Sequence, residues 1–126
     1  MITGVGTDVV DINRFRSLSS KAEFLEQVFT PAELERARTY QEPDEFFAKA
    51  FAVKEALFKA IGCGLGAGSL WKDVQVTSDW TLTLSGVLSR LAQEQSISRI
   101  HVTHSHSSSS AVAFVVLETT KEKEIL

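Results

Sequence analysis

The segment EPDEFFAKAFAVKEALFKAIG constrains the fold most, because it predicts one long helix without a polar face. At about 100° per residue, its apolar side chains cover a broad sector, and the opposite side is mostly alanine with Lys49 as its only charge. We predict that Asp44 caps the helix and that Gly62 ends it. A helix of this kind is normally buried on several sides. The apolar sector contains Phe46, Phe47, Ala50, Phe51, Leu57, Phe58 and Ile61.

Three charges in this apolar helix need an explanation. Lys54 falls inside the apolar sector, Glu55 lies at its edge, and Lys59 follows Glu55 by four residues. Because a buried, unpaired charge costs several kcal/mol, roughly, each one must pair, bind a ligand or metal, or reach solvent. We expect the Lys54 side chain to reach solvent along its apolar stem, whereas Glu55 is too short to do so. A Glu55–Lys59 salt bridge on an ordinary buried helix is the structural alternative.

The other segments predict an α+β fold, with a largely antiparallel sheet packed with helices, in a single domain over residues 1–126. The segment ITGVGTDVV predicts a strand that delivers Asp8 near its end. Thr30 and Glu33 predict a capping box at the start of a helix in FTPAELERARTY. The remaining predicted elements are a helix in DINRFRSL, two strands around a turn at Ser78–Asp79, a helix in SGVLSRLAQEQ, and strands in SRIHVTHSH and AVAFVVLE.

Charge and hydropathy exclude some classes of partner. The net charge of −3 argues against a general nucleic-acid binder. The longest apolar run, Ala111 to Leu117, is too short to span a membrane. The first residues, MITGVGTDVV, lack the basic and apolar regions of a signal peptide. We therefore expect a soluble cytoplasmic protein that binds neither nucleic acid nor membrane.

Two carboxylates suggest a metal site. Asp8 follows a strand of glycine and β-branched residues, and Glu55 lies in the apolar helix. A strand-end aspartate alone is often a turn or cap residue, but together the two offer the oxygen ligands that Mg²⁺ prefers, with room for water and phosphate. The loop GCGLGAG could expose backbone N–H groups to a phosphate, although it matches neither the Walker nor the Rossmann spacing.

Three separated motifs, GVGTDVVDINRF, FAVKEALFKAIGCGLG and SHSSSSAVAFVVLE, resemble one family over nearly the whole chain. It is the holo-acyl-carrier-protein synthase type of 4′-phosphopantetheinyl transferase. The resemblance implies the fold of that family. It also implies magnesium-dependent transfer of the 4′-phosphopantetheine group from coenzyme A to a serine of apo-acyl carrier protein, which yields holo-carrier and adenosine 3′,5′-bisphosphate.

The resemblance also assigns roles to individual residues. Asp8 and Glu55 would bind magnesium and, with Lys59, act in catalysis. The resemblance further implies a homotrimer with active sites between neighbouring subunits. The residues expected to bind coenzyme A are Lys49, Lys54, Lys59, Gly62, Gly64 and His106, and those expected to bind the carrier are Arg14, Arg16 and Lys21.

Some assignments stay open. The family usually has arginine where this chain has Ala50 and often tyrosine where it has Ser110, so the contacts to adenine and to the 3′-phosphate are not fixed. We expect His101 and His104 to lie at a solvated strand end, with zinc binding as an alternative. Either Glu55 or a metal-held water could be the general base. The alternative function is a non-catalytic module that binds coenzyme A or the carrier.

Overall fold

The computed structural model describes residues 1–63 and 70–120, and within them it confirms the predicted α+β class. The helix Ala22–Val28 belongs to none of the elements predicted from the sequence. The elements are β1 (Ile2–Asp11), α1 (Ile12–Ser19), α2 (Ala22–Val28), α3 (Pro31–Ala37), α4 (Pro43–Ile61), β2 (Val74–Val76), β3 (Leu82–Leu84), α5 (Gly86–Glu94), β4 (Arg99–His106) and β5 (Ser110–Glu118).

The strands pair antiparallel, as predicted, but in two sheets. One has the order β1-β5-β4, and the other consists of β2 and β3. In the larger sheet, Ala113 of β5 pairs with Asp8 on one side and with His104 on the other. Since paired residues point to the same face, Asp8 and His104 lie at one level of the inner face, two strand spacings or roughly 10 Å apart.

Helix α4 packs on this inner face and forms the centre of the core. Val53, Ala56 and Leu57 are completely buried, and α4 contacts both β1 and β5. Burial of each large apolar side chain contributes about 1.5–3 kcal/mol. The prediction of a helix that is buried on several sides is therefore confirmed.

Two glycines allow β1 to lie directly against the backbone of α4. A methyl group on Gly4 would collide with the carbonyl oxygen of Ala60, and one on Gly6 would collide with that of Ala56. Because β1 lies so close to α4, it brings Asp8, two residues after Gly6, beside the second half of the helix.

The predicted helix ends are mostly correct. Thr30 and Glu33 form the capping box, and Gly62 ends α4 in the left-handed conformation, with φ of 89°. The prediction that Asp44 caps α4 is wrong, because the helix already begins at Pro43, which suits a first helical position. The Asp44 carboxylate instead accepts a hydrogen bond of 2.7 Å from Ser19 Oγ.

The outer face of the three-stranded sheet is apolar and exposed. Val5, Val9 and Phe114 each expose more than two fifths of their surface. In this face Val5 pairs with Val116 of β5. Phe114 of β5 pairs with Thr7, which lies between Val5 and Val9 on β1. Within residues 1–63 and 70–120, no helix combines the length and apolar composition that crossing a membrane requires.

Candidate active site

Asp8, Glu55 and Lys59 meet where β1 passes α4. The ammonium group of Lys59 donates hydrogen bonds of 3.0 Å to Asp8 Oδ1 and of 3.0 Å to the carbonyl oxygen of Thr7. The alternative of a Glu55–Lys59 salt bridge is wrong, because the strand brings Asp8 within reach and Lys59 pairs with it. The Lys59 side chain is 51% exposed, so it remains accessible from solvent.

The Glu55 carboxyl group lies in an unfavourable environment for a negative charge. Burial raises its pKa, the nearby Asp8 charge raises it further, and Lys59 only partly counteracts both effects. Two carboxylates held together in this way favour a bound cation.

This set of donors fits magnesium. No group of three or more His, Cys, Asp or Glu side chains suited to a metal occurs in the described residues. Mg²⁺ typically takes one or two carboxylates and completes its octahedron with water and phosphate oxygens. Asp8 and Glu55 could supply such a pair, with the other positions left to water and a substrate.

The raised pKa of Glu55 predicts a pH-dependent stability. The folded protein binds this proton more tightly than the unfolded chain, so ionised Glu55 lowers stability at neutral pH. That effect disappears as the pH falls through the raised pKa towards the ordinary value of 4.5. In metal-free buffer we expect Glu55→Gln to melt above the wild type at about pH 7, with the difference vanishing near about pH 4.

Thermal melts of both proteins across this pH range measure the difference. Glu42→Gln, a change at an exposed position before α4, is the matched control and should follow the wild type throughout. A Glu55→Gln difference that stays constant with pH would contradict the proposed environment of Glu55.

The two carboxylates open onto a cleft of about 490 Å³ between β1, α1 and α4. Its volume falls in the range of ligand sites. Its walls are partly apolar, which suits an extended substrate whose charged end reaches the carboxylates. The lining residues are Asp8, Val9, Val10, Asp11, Arg14, Phe15, Ser17, Leu18, Phe51 and Glu55.

Lys54 lies away from this cleft, in the core. Its side chain is 0% exposed and its ammonium group donates to Glu33 Oε1 at 2.7 Å. The two other donors reach the carbonyl oxygens of Val28 at 2.8 Å and Trp71 at 3.0 Å. All three protons are therefore used. The predictions that Lys54 reaches solvent and supports a phosphate site are both wrong.

Glu33 is the buried partner that the sequence did not reveal. One carboxylate oxygen accepts from Lys54 and from the backbone N–H of Thr30, and the other accepts from the N–H of Val76. The capping box predicted the bond to Thr30 but gave no reason to look for a second role. Burial lowers the pKa of Lys54, and the Glu33 charge opposes that shift.

Lys49 and His106 lie on the other flank of α4, near β4. His106 Nε2 is 3.4 Å from a carboxylate oxygen of Glu45, and Lys49 Nζ is 5.1 Å from the centre of the Trp80 ring. The structure therefore does not bring them to Asp8 within one chain. Gly62 ends α4 in open space, and Gly64 lies outside the described residues.

His104 differs from its prediction. It is half-buried, and its ring centre is 4.1 Å from that of Trp80, so it does not lie at a solvated strand end. Burial lowers its pKa, and Lys49 and His106 lower it further. His101 points to the outer face and pairs with Glu118 at 2.8 Å.

Known proteins decide the family. A family model described as the 4′-phosphopantetheinyl transferase superfamily matches residues 4–116. The chain belongs to this superfamily. A holo-[acyl-carrier-protein] synthase of Geobacter sulfurreducens is 42% identical over 124 residues, which cover 94% of this chain and 98% of the relative. One from Leifsonia xyli is 42% identical over 123 residues, with the same coverage.

Solved structures of phosphopantetheinyl transferases agree with the fold. The holo-[acyl-carrier-protein] synthase of Neisseria meningitidis is 33% identical, covers 94% of this chain and 100% of its own, and has a TM-score of 0.83. That of Bacillus anthracis, in complex with CoA (3′,5′-ADP), is 32% identical, with coverages of 95% and 99% and a TM-score of 0.77. The family resemblance and the fold predicted from the sequence are confirmed.

The basic residues near the cleft of this phosphopantetheinyl transferase differ in availability. Arg14 lines the cleft, and its exposed side chain extends from the first turn of α1. The Arg16 guanidinium donates a hydrogen bond of 2.9 Å to Asn13 Oδ1, and its Nε lies 3.5 Å from Asp44 Oδ2. Lys21 is exposed at the start of α2. The positions therefore favour Arg14 for contact with a partner at the mouth of the cleft.

Proposed function

We propose that this chain transfers the 4′-phosphopantetheine group from coenzyme A to a serine of an apo-acyl carrier protein, in the cytoplasm, with release of adenosine 3′,5′-bisphosphate. The meeting of Asp8, Glu55 and Lys59 at one cleft carries this proposal. The relatives named holo-[acyl-carrier-protein] synthase, which match nearly the whole chain, support it. A non-catalytic binding module would have no need of paired carboxylates whose charges repel each other.

Transfer of this kind depends mainly on positioning and charge stabilisation. Asp8 and Glu55 would hold magnesium, which when bound supplies positive charge to the diphosphate. The half-exposed ammonium group of Lys59 would bind phosphate oxygens beside them. The raised pKa of Glu55, caused by burial and by Asp8, supports this residue as an acceptor for the proton of the carrier serine, with a metal-held water as the alternative.

The arrangement of charges supports a homotrimer with sites between subunits. Asp8 and His104 lie at opposite edges of the sheet inner face, which α4 covers between them. A substrate that contacts both edges without crossing α4 would therefore lie between two copies of the chain. A neighbouring copy could place its β4 edge against the β1 edge, and the apolar outer face with Val5, Val9 and Phe114 provides area for such contacts. The number three comes from the family resemblance.

Mass spectrometry tests the activity directly. The chain is incubated with apo-acyl carrier protein, coenzyme A and Mg²⁺, and the carrier should gain one phosphopantetheine group. A chelator should stop the reaction, and added Mg²⁺ should restore it. Binding of coenzyme A without a mass gain would instead support the non-catalytic module.

Reversal of one charge tests the carrier surface. The family resemblance implies an acidic carrier protein. We expect Arg14→Glu to raise KM for the carrier by about tenfold, because the acidic carrier would then meet a like charge at the mouth of the cleft. KM for coenzyme A should change little. Steady-state kinetics with each substrate varied in turn measures both values. Arg90→Glu, the same reversal at an exposed position on α5, is the control, and equal changes in both KM values would count against the role of Arg14.

A further inference from the structure

A continuous set of contacts links the buried Lys54 ammonium group to the wall of the cleft. Lys54 donates to the carbonyl oxygen of Trp71 at 3.0 Å. The Trp71 ring stacks on that of Phe51, with ring centres 5.0 Å apart and an angle of 19° between the planes. Phe51 lines the cleft, and so does Glu55, one helical turn after it on α4. The wall beside Glu55 is therefore supported from the core.

The position of Trp71 depends on this buried group. Trp71 begins a short turn, Trp71–Asp73, just before β2. Because a turn of three residues has little regular structure to fix it, tertiary contacts set its position. The Lys54 donor that binds its carbonyl oxygen is itself fixed by Glu33, whose carboxylate accepts from the backbone N–H of Val76. Buried polar networks of this kind, in which each donor has an acceptor, are rigid.

The Trp71 ring in turn holds aromatic side chains of α4. Besides its stacking on Phe51, it contacts the Phe58 ring edge to face at 5.0 Å. Phe51 also packs against Phe15 at 5.3 Å, and Phe15 lines the cleft as well. Aromatic pairs in these geometries stabilise each other beyond the area that they bury. The orientation of the Phe51 ring thus depends on Trp71 and on Phe15.

The cleft presents charge and apolar surface together beside Phe51. Arg14 and Leu18 lie one helical turn apart on α1, and both line the cleft. Leu18 is 41% exposed. Phe51 adds an aromatic face from α4. A protein surface that carries acidic and apolar side chains fits this combination better than a diphosphate does.

We propose that Lys54 and Trp71 are positioning residues for the carrier protein, and that they act by holding Phe51 in the wall of the cleft. This inference rests on the proposed function, in which the carrier meets Arg14 at the mouth of the same cleft. An apolar side chain of the carrier would pack on Phe51 while the carrier serine approaches Glu55. The completely buried Lys54 would thus serve substrate binding without touching a substrate.

Substitutions of Trp71 separate positioning from stability. Trp71→Leu removes the ring that supports Phe51 and keeps the carbonyl group that Lys54 binds. It should raise KM for the carrier by about three- to tenfold, the scale of one packed aromatic pair. KM for coenzyme A and kcat should stay within about twofold of the wild type. Trp71→Phe, which can still stack on Phe51, should restore KM for the carrier.

Tyr40→Leu is the matched control. Tyr40 is half-buried, as Trp71 is, and its ring stacks on Phe46 at 4.9 Å, outside the lining of the cleft. This variant should lose stability without any change in KM for the carrier. An equal rise of that KM in Tyr40→Leu and Trp71→Leu would overturn the proposal. An unchanged KM for the carrier in Trp71→Leu, or a rise of KM for coenzyme A alone, would overturn it as well.

Two measurements give a readout without turnover. Calorimetry with apo-acyl carrier protein should show weaker binding to Trp71→Leu and wild-type binding to Trp71→Phe. The chain has two tryptophans, so Trp80→Phe leaves Trp71 as the only one. In that background, Lys54→Met should shift the Trp71 fluorescence to longer wavelength, at a temperature where circular dichroism shows a folded protein. An unchanged spectrum would overturn the role of Lys54, whereas a wild type that transfers nothing would overturn the proposed function.

Discussion

Glu55→Gln is expected to lower kcat for phosphopantetheine transfer by about 10²–10³-fold, the loss typical when one group that stabilises developing charge is removed. Glutamine keeps the shape of the side chain but supplies neither the negative charge that holds a cation nor a site for a proton. Because Glu55 lies close to Asp8, the loss of the negative charge and the loss of the proton acceptor both affect the same site. Steady-state kinetics at saturating carrier and coenzyme A measures the change.

Two further measurements separate catalysis from folding. The variant should melt no lower than the wild type at neutral pH, because ionised Glu55 is unfavourable in the folded chain. It should also require a higher Mg²⁺ concentration for its residual activity. Glu42→Gln removes a carboxylate at an exposed position and should leave kcat unchanged. A Glu55→Gln protein with nearly full activity would rule out the assignment of Glu55 as a metal ligand.

Lys54→Met is expected to lower the free energy of unfolding by about 3–5 kcal/mol, as removal of one partner of a buried ion pair does. Glu33 would lose its cationic partner in the core and keep only two backbone N–H donors. The carbonyl oxygens of Val28 and Trp71 would lose their donor as well. Urea or thermal denaturation, monitored by circular dichroism, gives the value.

The nearby Lys72→Met variant is the control for this change. Lys72 is exposed, and its positive charge repels that of Lys54. Removal of the Lys72 charge should therefore alter stability by less than about 0.5 kcal/mol. A Lys54→Met loss as small as this would show that the buried pair contributes little. If the variant keeps its fold but loses transfer activity through KM for coenzyme A alone, the predicted phosphate role of Lys54 would be restored.

The sequence predicted best what depends on local patterns. The capping box at Thr30 and Glu33 and the end of α4 at Gly62 follow from residues a few positions apart. The contacts of the Lys54 ammonium group could not be predicted from such patterns, because a helical wheel gives the direction of a side chain and not the residues that it contacts. Its partner Glu33 lies 21 residues away, on a different helix. The sequence alone therefore predicts that the Lys54 side chain reaches solvent, and the structure shows that it is buried.

The site shows the same division. The pairing of Asp8 with Glu55 was predicted from residue type and family resemblance together. The contacts of Trp80 were not predicted, because Arg36, Trp80 and His104 come from a helix, a turn and a strand that share no sequence motif. Lys49 and His106 were named, but the sequence did not show that they lie across α4 from Asp8.

The glycines of β1 set the tolerance of this enzyme to change. Because Gly4 and Gly6 have no side chain, the backbones of β1 and α4 lie in direct contact. This contact sets the distance between the reactive groups on the strand and those on the helix. One added carbon would act as a wedge between the two backbones. Any side chain at Gly4 or Gly6 would therefore move β1, and with it Asp8, away from α4 and from Lys59.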